Sequence, residues 1–336
     1  MTTIWLWIGF IVFIVFLLAL DLGVFHRKAH VPSLRESLVW TVLWIAVALA
    51  FNVGIYFIYE HHLFGIGQLA GENIMNGAQA AKLFLTGYLI EKSLSLDNIF
   101  VIGIVFSFFA VPRKYQHRVL FWGILGAIVL RAIMILLGVA LIQMFHWTLY
   151  IFGALLLITA IKMLWYQNEE IHPENNPLVK LVQRFFRVTS HYHQDRFFVK
   201  ENGLWAATPM FLVLLVVESY DVIFAIDSIP AIFAITQDPF IVFTSNVFAI
   251  LGLRSLYFVM AAMIAKFRYL KVSLSVILAY VGVKLLAQDL ILEEHKDLMN
   301  WVSLGVIIVT MLVGVLASVL VNKCPRDLPP DDLPAT

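Results

Sequence analysis

Apolar stretches long enough to cross about 30 Å of hydrocarbon alternate with short polar turns along the whole chain. They fall at about 4–24, 38–59, 82–110, 118–143, 147–165, 208–235, 240–264, 270–288 and 300–322. The ten-residue alternation of a membrane barrel is lacking, so the pattern predicts nine helices. Ile4 to Val24 is interrupted only by Asp21, with no basic residue before it and no A-x-A-like site after it. It is therefore expected to be a retained first span, not a signal peptide.

Composition agrees. The 336 residues are 61% hydrophobic and 13% charged, about half the charge of a soluble domain, and the mean hydropathy is +0.89. Net charge is +1, so no overall field draws the chain to nucleic acid, and one cysteine, Cys324, excludes an intrachain disulfide or a cysteine metal site.

Lys and Arg placement sets orientation. Arg27, Lys28 and Arg35, then Arg113, Lys114 and Arg118, then Lys266, Arg268 and Lys271, and finally Lys323 and Arg326 fall in every second turn. The alternate turns carry Glu60 and Glu72, then Asp238, then Asp289, Glu293, Glu294 and Asp297. The expected arrangement has the N-terminus outside and the C-terminus in the cytoplasm. The polar stretch 166–207 is then a cytoplasmic loop, and the Pro- and Asp-rich tail 323–336 is expected to be disordered.

The third and sixth spans resemble each other. Ser95, Asp97, Ile99, Phe100 and Ile102 recur as Ser219, Asp221, Ile223, Phe224 and Ile226, at a constant offset of 124. Arg131 then pairs with Arg254, and Lys162 with Lys284. The Asp–Arg–Lys spacings are 34 and 31 in one copy, 33 and 30 in the other. Each copy holds three spans with none between them, so the second must enter the membrane from the opposite side. Inverted repeats of this kind build secondary transporters, with the binding site at the midplane where the copies meet. The division is residues 1–80, two peripheral spans; 81–165, the first repeat; 166–207, the loop; 208–289, the inverted repeat; and 290–322, a final peripheral span.

Five carboxylates fall within the third and sixth spans: Glu91, Asp97, Glu218, Asp221 and Asp227. Each costs at least about 2.5 kcal/mol at mid-bilayer when ionised, and such residues are functional by default. Glu218 and Asp221 share a helix face. Glu91 and Asp97, six apart, do not, and nor do Asp221 and Asp227. Pro230 frees the carbonyl of Ile226 and is expected to break the sixth span, turning Asp227 toward the other acids. Ser93, Ser95 and Asn98 allow a similar break in the third. Carboxylates, the Asn98 amide and carbonyls suit Mn²⁺, Ca²⁺ or Mg²⁺, while zinc and copper prefer the His and Cys these spans lack. Arg131 and Arg254 would leave an excess of about three negative charges, a count that omits Lys92, Lys162 and Lys284.

Bland readings stand beside these. The acids could form only structural pairs with Arg and Lys. Lys162 and Lys284 lie near span ends, where lysines snorkel. Asn246 and Ser245 either line the site or bond a neighbouring helix. His26 and His30 fit an interface turn better than a metal site, and His191 and His193 fit a solvated loop. No H-E-x-x-H or G-x-S-x-G occurs, which disfavours an enzyme such as an intramembrane hydrolase.

Four stretches, Phe84–Asn98, Gln116–Arg131, Glu218–Thr236 and Asp238–Phe258, resemble the TerC family of integral membrane proteins, and within it the Alx-like members. The resemblance covers nearly the whole chain. It implies an all-α transmembrane bundle in a bacterial inner membrane, grouped with LysE-type transporters, and links to manganese export and tellurite resistance. It also implies that Glu91, Asp97, Asn98, Glu218, Asp221 and Asp227 form the metal path; it does not fix the ion, and the expected cargo is a divalent cation, Mn²⁺ foremost, with no resident cofactor. Cation and proton would compete for Asp97, Asp221 and Asp227. The rival expectation is a stress-resistance or assembly factor without transport of its own.

Overall fold

A computed structural model describes residues 2–23, 33–65, 75–145, 147–165, 204–261, 270–290 and 296–321, with shorter pieces between 179 and 201. Helices dominate: α1 (Thr2–Gly23), α2 (Leu34–Glu60), α3 (Gly77–Phe108), α4 (Arg113–Met144), α5 (Thr148–Trp165), α6 (Pro209–Phe233), α7 (Pro239–Ile250), α8 (Leu253–Ala261), α9 (Leu270–Leu286) and α10 (Lys296–Val321). Side chains fix several starts. Ser33 and Glu36 form a capping box on α2, Asn76 and Gln79 another on α3, and Asp238 accepts from the backbone of Phe240 at 2.9 Å and Ile241 at 3.1 Å. Each satisfies backbone N–H groups that a helix end leaves open.

Six of these helices, α1, α2, α4, α5, α6 and α10, are long and apolar enough to cross a membrane. A seventh crossing is possible if α7 and α8, bent by 42° at their junction, count as one span. The bend sits at Gly252, whose φ of +79° suits glycine. A side chain there would also strike Trp44 of α2. α3 is long enough at 32 residues but carries Lys82, Glu91, Lys92 and Asp97, and α9 is short at 17.

The core is built by α3 and α6, which pack on each other, α3 also on α7 and α6 on α4. α5 lies along α9, with Gly153 and Gly282 facing each other across the contact. On α1, Leu6, Phe10, Ile14 and Leu18 form one buried stripe, as an i, i+4 spacing dictates. Phe10 meets Phe51, Phe240, Phe243 and Phe248. Ile4, Val12, Val15 and Phe16 on the other faces are exposed, an arrangement that needs lipid as solvent.

The expected helix breaks are corrected. α3 and α6 are continuous helices: Pro230 lies in the last turn of α6, and no break occurs at Ser93–Asn98. The loop before α6 holds a short antiparallel hairpin, β1 (Phe198–Glu201) with β2 (Leu204–Ala207), and the rest of the described elements are helices, in keeping with the all-α class. The turn with His26, Arg27, Lys28 and His30, the residues Glu72, Lys266, Arg268, Glu293 and Glu294, and the tail from 323 lie outside the described residues.

Candidate functional site

Arg131 of α4 is 1% exposed and binds three other helices. Its guanidinium pairs with Glu91 of α3, donates to Asn246 Oδ1 of α7 at 2.9 Å and to Ser228 Oγ of α6 at 3.2 Å, and reaches Asp221 Oδ1 of α6 at 3.3 Å. Helical spacing explains the set. Ser228 follows Asp221 by seven residues, two turns along the same face. Glu218, one turn before Asp221, lies near enough for their charges to interact. Its carboxylate occupies the space beside Gly126 of α4 that a side chain would fill. Glu91 Oε2, Glu218 Oε2 and Asp221 Oδ2 are buried without a hydrogen-bond partner. Asn246 thus lines the site, while its amide nitrogen donates to Val242 within α7 at 3.1 Å. Ser245 bonds only its own helix, at Val242, 3.1 Å away.

Asp97 and Asp227 face elsewhere. They line a cavity of about 300 Å³ with Asn98, Thr159, Lys162, Ser228 and Lys271. Thr159 donates to Asp227 at 2.8 Å, Lys162 faces Asp227 and Lys271 faces Asp97 electrostatically. Six residues turn an unbroken helix by about 240° beyond a full circle, which carries Asp97 away from Glu91 and Asp227 away from Asp221. The acids therefore occupy two compartments, not the single pocket expected from a broken α6. Asn98, Tyr220 and Phe224 line both the large cavity and a smaller one beside Arg131 and Asp221, so the two are neighbours. Neither cavity is lined by His or Cys. Among the described residues, no three Asp, Glu, His or Cys side chains are grouped to hold a metal ion.

The remaining charges have other work. Arg254 does not neutralise this cluster; it pairs with Asp21 of α1 at 2.7 Å. Lys284 donates to Asn300 and Ser303 of α10, both at 3.0 Å, so it ties the last helix to α9. Lys92 donates to Ala249 O at the end of α7, 3.1 Å away. His191 and His193 are exposed.

Sequence reasoning gave Lys271 only a topological role and assigned none to Ser228, Thr159, Gly126 or Asp21. The seven-residue step from Asp221 marks Ser228, and a lone acid in an apolar span marks Asp21. For Thr159 and Gly126 no sequence signal stands out.

Residues 76–325 match the model of the family described as "Integral membrane protein TerC family". An uncharacterized membrane protein of Myxococcus xanthus is 47% identical over 95% of this chain and 93% of its own length. Proteins named "Putative membrane-bound redox modulator Alx" are similar too: that of Photorhabdus laumondii is 46% identical, covering 95% of both chains. That of Escherichia coli (strain K12) is 45% identical over 94% of this chain and 95% of its own. No solved structure matches. With three quarters of its length inside the family model and relatives aligned nearly end to end, the chain belongs to the TerC family of integral membrane proteins.

Proposed function

We propose that the protein exports divalent metal cations, Mn²⁺ foremost, by alternating access. The observation that carries this reading is an excess of buried and half-buried acid within the bundle. Glu91 and Asp221 pair with one cation, Arg131, and Glu218 lies beside Asp221. Next door, Asp97 and Asp227 are balanced by Lys271 and Lys162. Taken together, five carboxylates face three cations, and a divalent ion offsets the difference without leaving charge in lipid. Carboxylate, amide and hydroxyl oxygens form a hard donor set suited to Mn²⁺.

Nine crossings complete the architecture when α3 and α9 count as spans and α7 with α8 as one. The inverted repeat then comprises α3, α4 and α5 against α6, α7–α8 and α9. The packing supports it: α3 on α7 is the counterpart of α4 on α6, while α3 meets α6 and α5 meets α9 as like pairs. With the N-terminus outside, Lys162 in the last turn of α5 and Lys271 in the first turn of α9 mark the cytoplasmic ends. The large cavity is then the vestibule from which cargo enters, and proton exchange at Asp97, Asp221 and Asp227 supplies a coupling route.

Proteoliposomes containing the purified protein test this. Mn²⁺ flux above Mg²⁺, Ca²⁺ and Zn²⁺, altered by a pH gradient and lost in Asp97→Ala and Asp221→Ala, is expected. Variants that move Mn²⁺ at the full rate contradict the site.

The relatives named for redox modulation favour a second reading, a stress-resistance factor without transport of its own. One cysteine in the chain gives it no internal dithiol. A deletion strain sensitive to tellurite and indifferent to Mn²⁺ supports this reading over export.

A further inference from the structure

Three oxygens from three helices converge on one atom. Glu91 Oε1, Asn246 Oδ1 and Ser228 Oγ all surround Nη1 of Arg131. That nitrogen carries two hydrogens, so acceptors outnumber donors around it. Asp221 Oδ1 waits at the neighbouring Nη2, and both Glu91 and Asp221 keep a second buried oxygen without a partner. Two carboxylates, an amide carbonyl and a hydroxyl around one buried positive point are the surroundings that a hard divalent cation takes.

We infer that Arg131 is a tethered stand-in for the cargo: Nη1 occupies the cation's position, and the ion must displace it to bind. The inference rests on the transport reading above. An exporter has to return empty, and without a substitute charge it would carry Glu91, Asp221 and Glu218 through the bilayer uncompensated. The arginine fills that role because its planar fork meets several acceptors at once and stays charged.

The structure also provides a place for the displaced group. Nε of Arg131 has no partner, so only the two Nη atoms hold the guanidinium. A cavity of about 30 Å³ adjoins it, lined by Ser95, Asn98, Gly123 and Ala127 among others. The Ser95 hydroxyl is fully buried and bonds nothing in this conformation. It is the acceptor that awaits the arginine in the loaded state.

Two measurements on the full-length purified protein decide the matter. Mn²⁺ titration is expected to show binding about tenfold or more tighter in Arg131→Gln and Arg131→Ala than in wild type. In proteoliposomes the same variants exchange Mn²⁺ for Mn²⁺ but lose net export. Glutamine keeps a donor for Glu91 and Asn246, so it decides the question where alanine does not fold. Ser95→Ala is expected to weaken Mn²⁺ binding about tenfold, the value of one hydrogen bond to a charged group, with unchanged thermal stability. Wild-type export of Mn²⁺ combined with unchanged or weaker binding in Arg131→Gln overturns the stand-in and leaves the transport reading intact. Unchanged affinity in Ser95→Ala does the same for the displaced position. A wild type that neither binds nor moves any divalent ion removes both.

Discussion

Gly126→Ala measures how firmly Glu218 is placed. A methyl group on Gly126 would overlap the carboxylate of Glu218, and only the tip of that side chain stands in the way. The side chain yields, not the backbone, so the cost is that of an off-rotamer torsion, about 0.5–1.5 kcal/mol. Rigid overpacking would cost about 1–3 kcal/mol. Against it stands the gain of alanine over glycine inside α4, about 1 kcal/mol. In the wild-type background the two effects nearly cancel, and Tm stays within about 2 °C of its starting value. In a Glu218→Ala background the obstacle is gone and only the helix gain remains, so Gly126→Ala is stabilising by about 1 kcal/mol. The four proteins of this double-mutant cycle, unfolded thermally in detergent, isolate a coupling of about 1 kcal/mol. Equal effects of Gly126→Ala in both backgrounds refute the proposed contact. Metal export by Gly126→Ala is expected to fall although the protein remains folded, because the displaced carboxylate no longer faces Asp221.

Three further outcomes follow from the geometry. Asp97→Asn and Asp227→Asn should abolish export with little change in Tm, whereas Glu91→Gln and Asp221→Asn should lower both, because these two remove partners of buried Arg131; similar Tm losses in all four variants would count against separate compartments. Asp21→Ala breaks the Arg254 pair and should cost up to about 3 kcal/mol, largely recovered in Asp21→Ala/Arg254→Met; a double variant as unstable as the single one removes the pair from the account. Gly252→Ala places a side chain at φ +79° against Trp44, which should destabilise by about 1–2 kcal/mol from the backbone alone and slow export. A wild-type Tm there means the bend is not held as described.

Much of the fold can be read from hydrophobic run length, since the expected apolar stretches fall on the observed helices within a few residues. The facing of the acids was also legible in part. The six-residue steps Glu91–Asp97 and Asp221–Asp227 place each pair on different faces, and in continuous helices that is where they stay. Pro230 misled because its effect depends on position: three residues before the helix end, it has only a last turn beyond it to redirect, and the helix that carries Asp221 and Asp227 stays continuous. Partner choice was the least legible level. Arg131 and Arg254 follow Asp97 and Asp221 at nearly equal spacings in the sequence, yet one meets Glu91 and the other Asp21. The chain bends at Gly252, just before Arg254, and α1 lies beside it, and neither relation is encoded locally. Lys271 was hidden for a similar reason, because a basic residue beside a span reads as a topology signal until packing shows which acid it faces.

Mn²⁺ binding to the purified protein, followed by the loss of the free-ion paramagnetic resonance signal, tests the central claim most directly. A single saturable site in the wild type, absent from the Glu91→Gln/Asp221→Asn double variant, is the predicted result. Unaltered binding in that double variant would show that the cation is carried elsewhere.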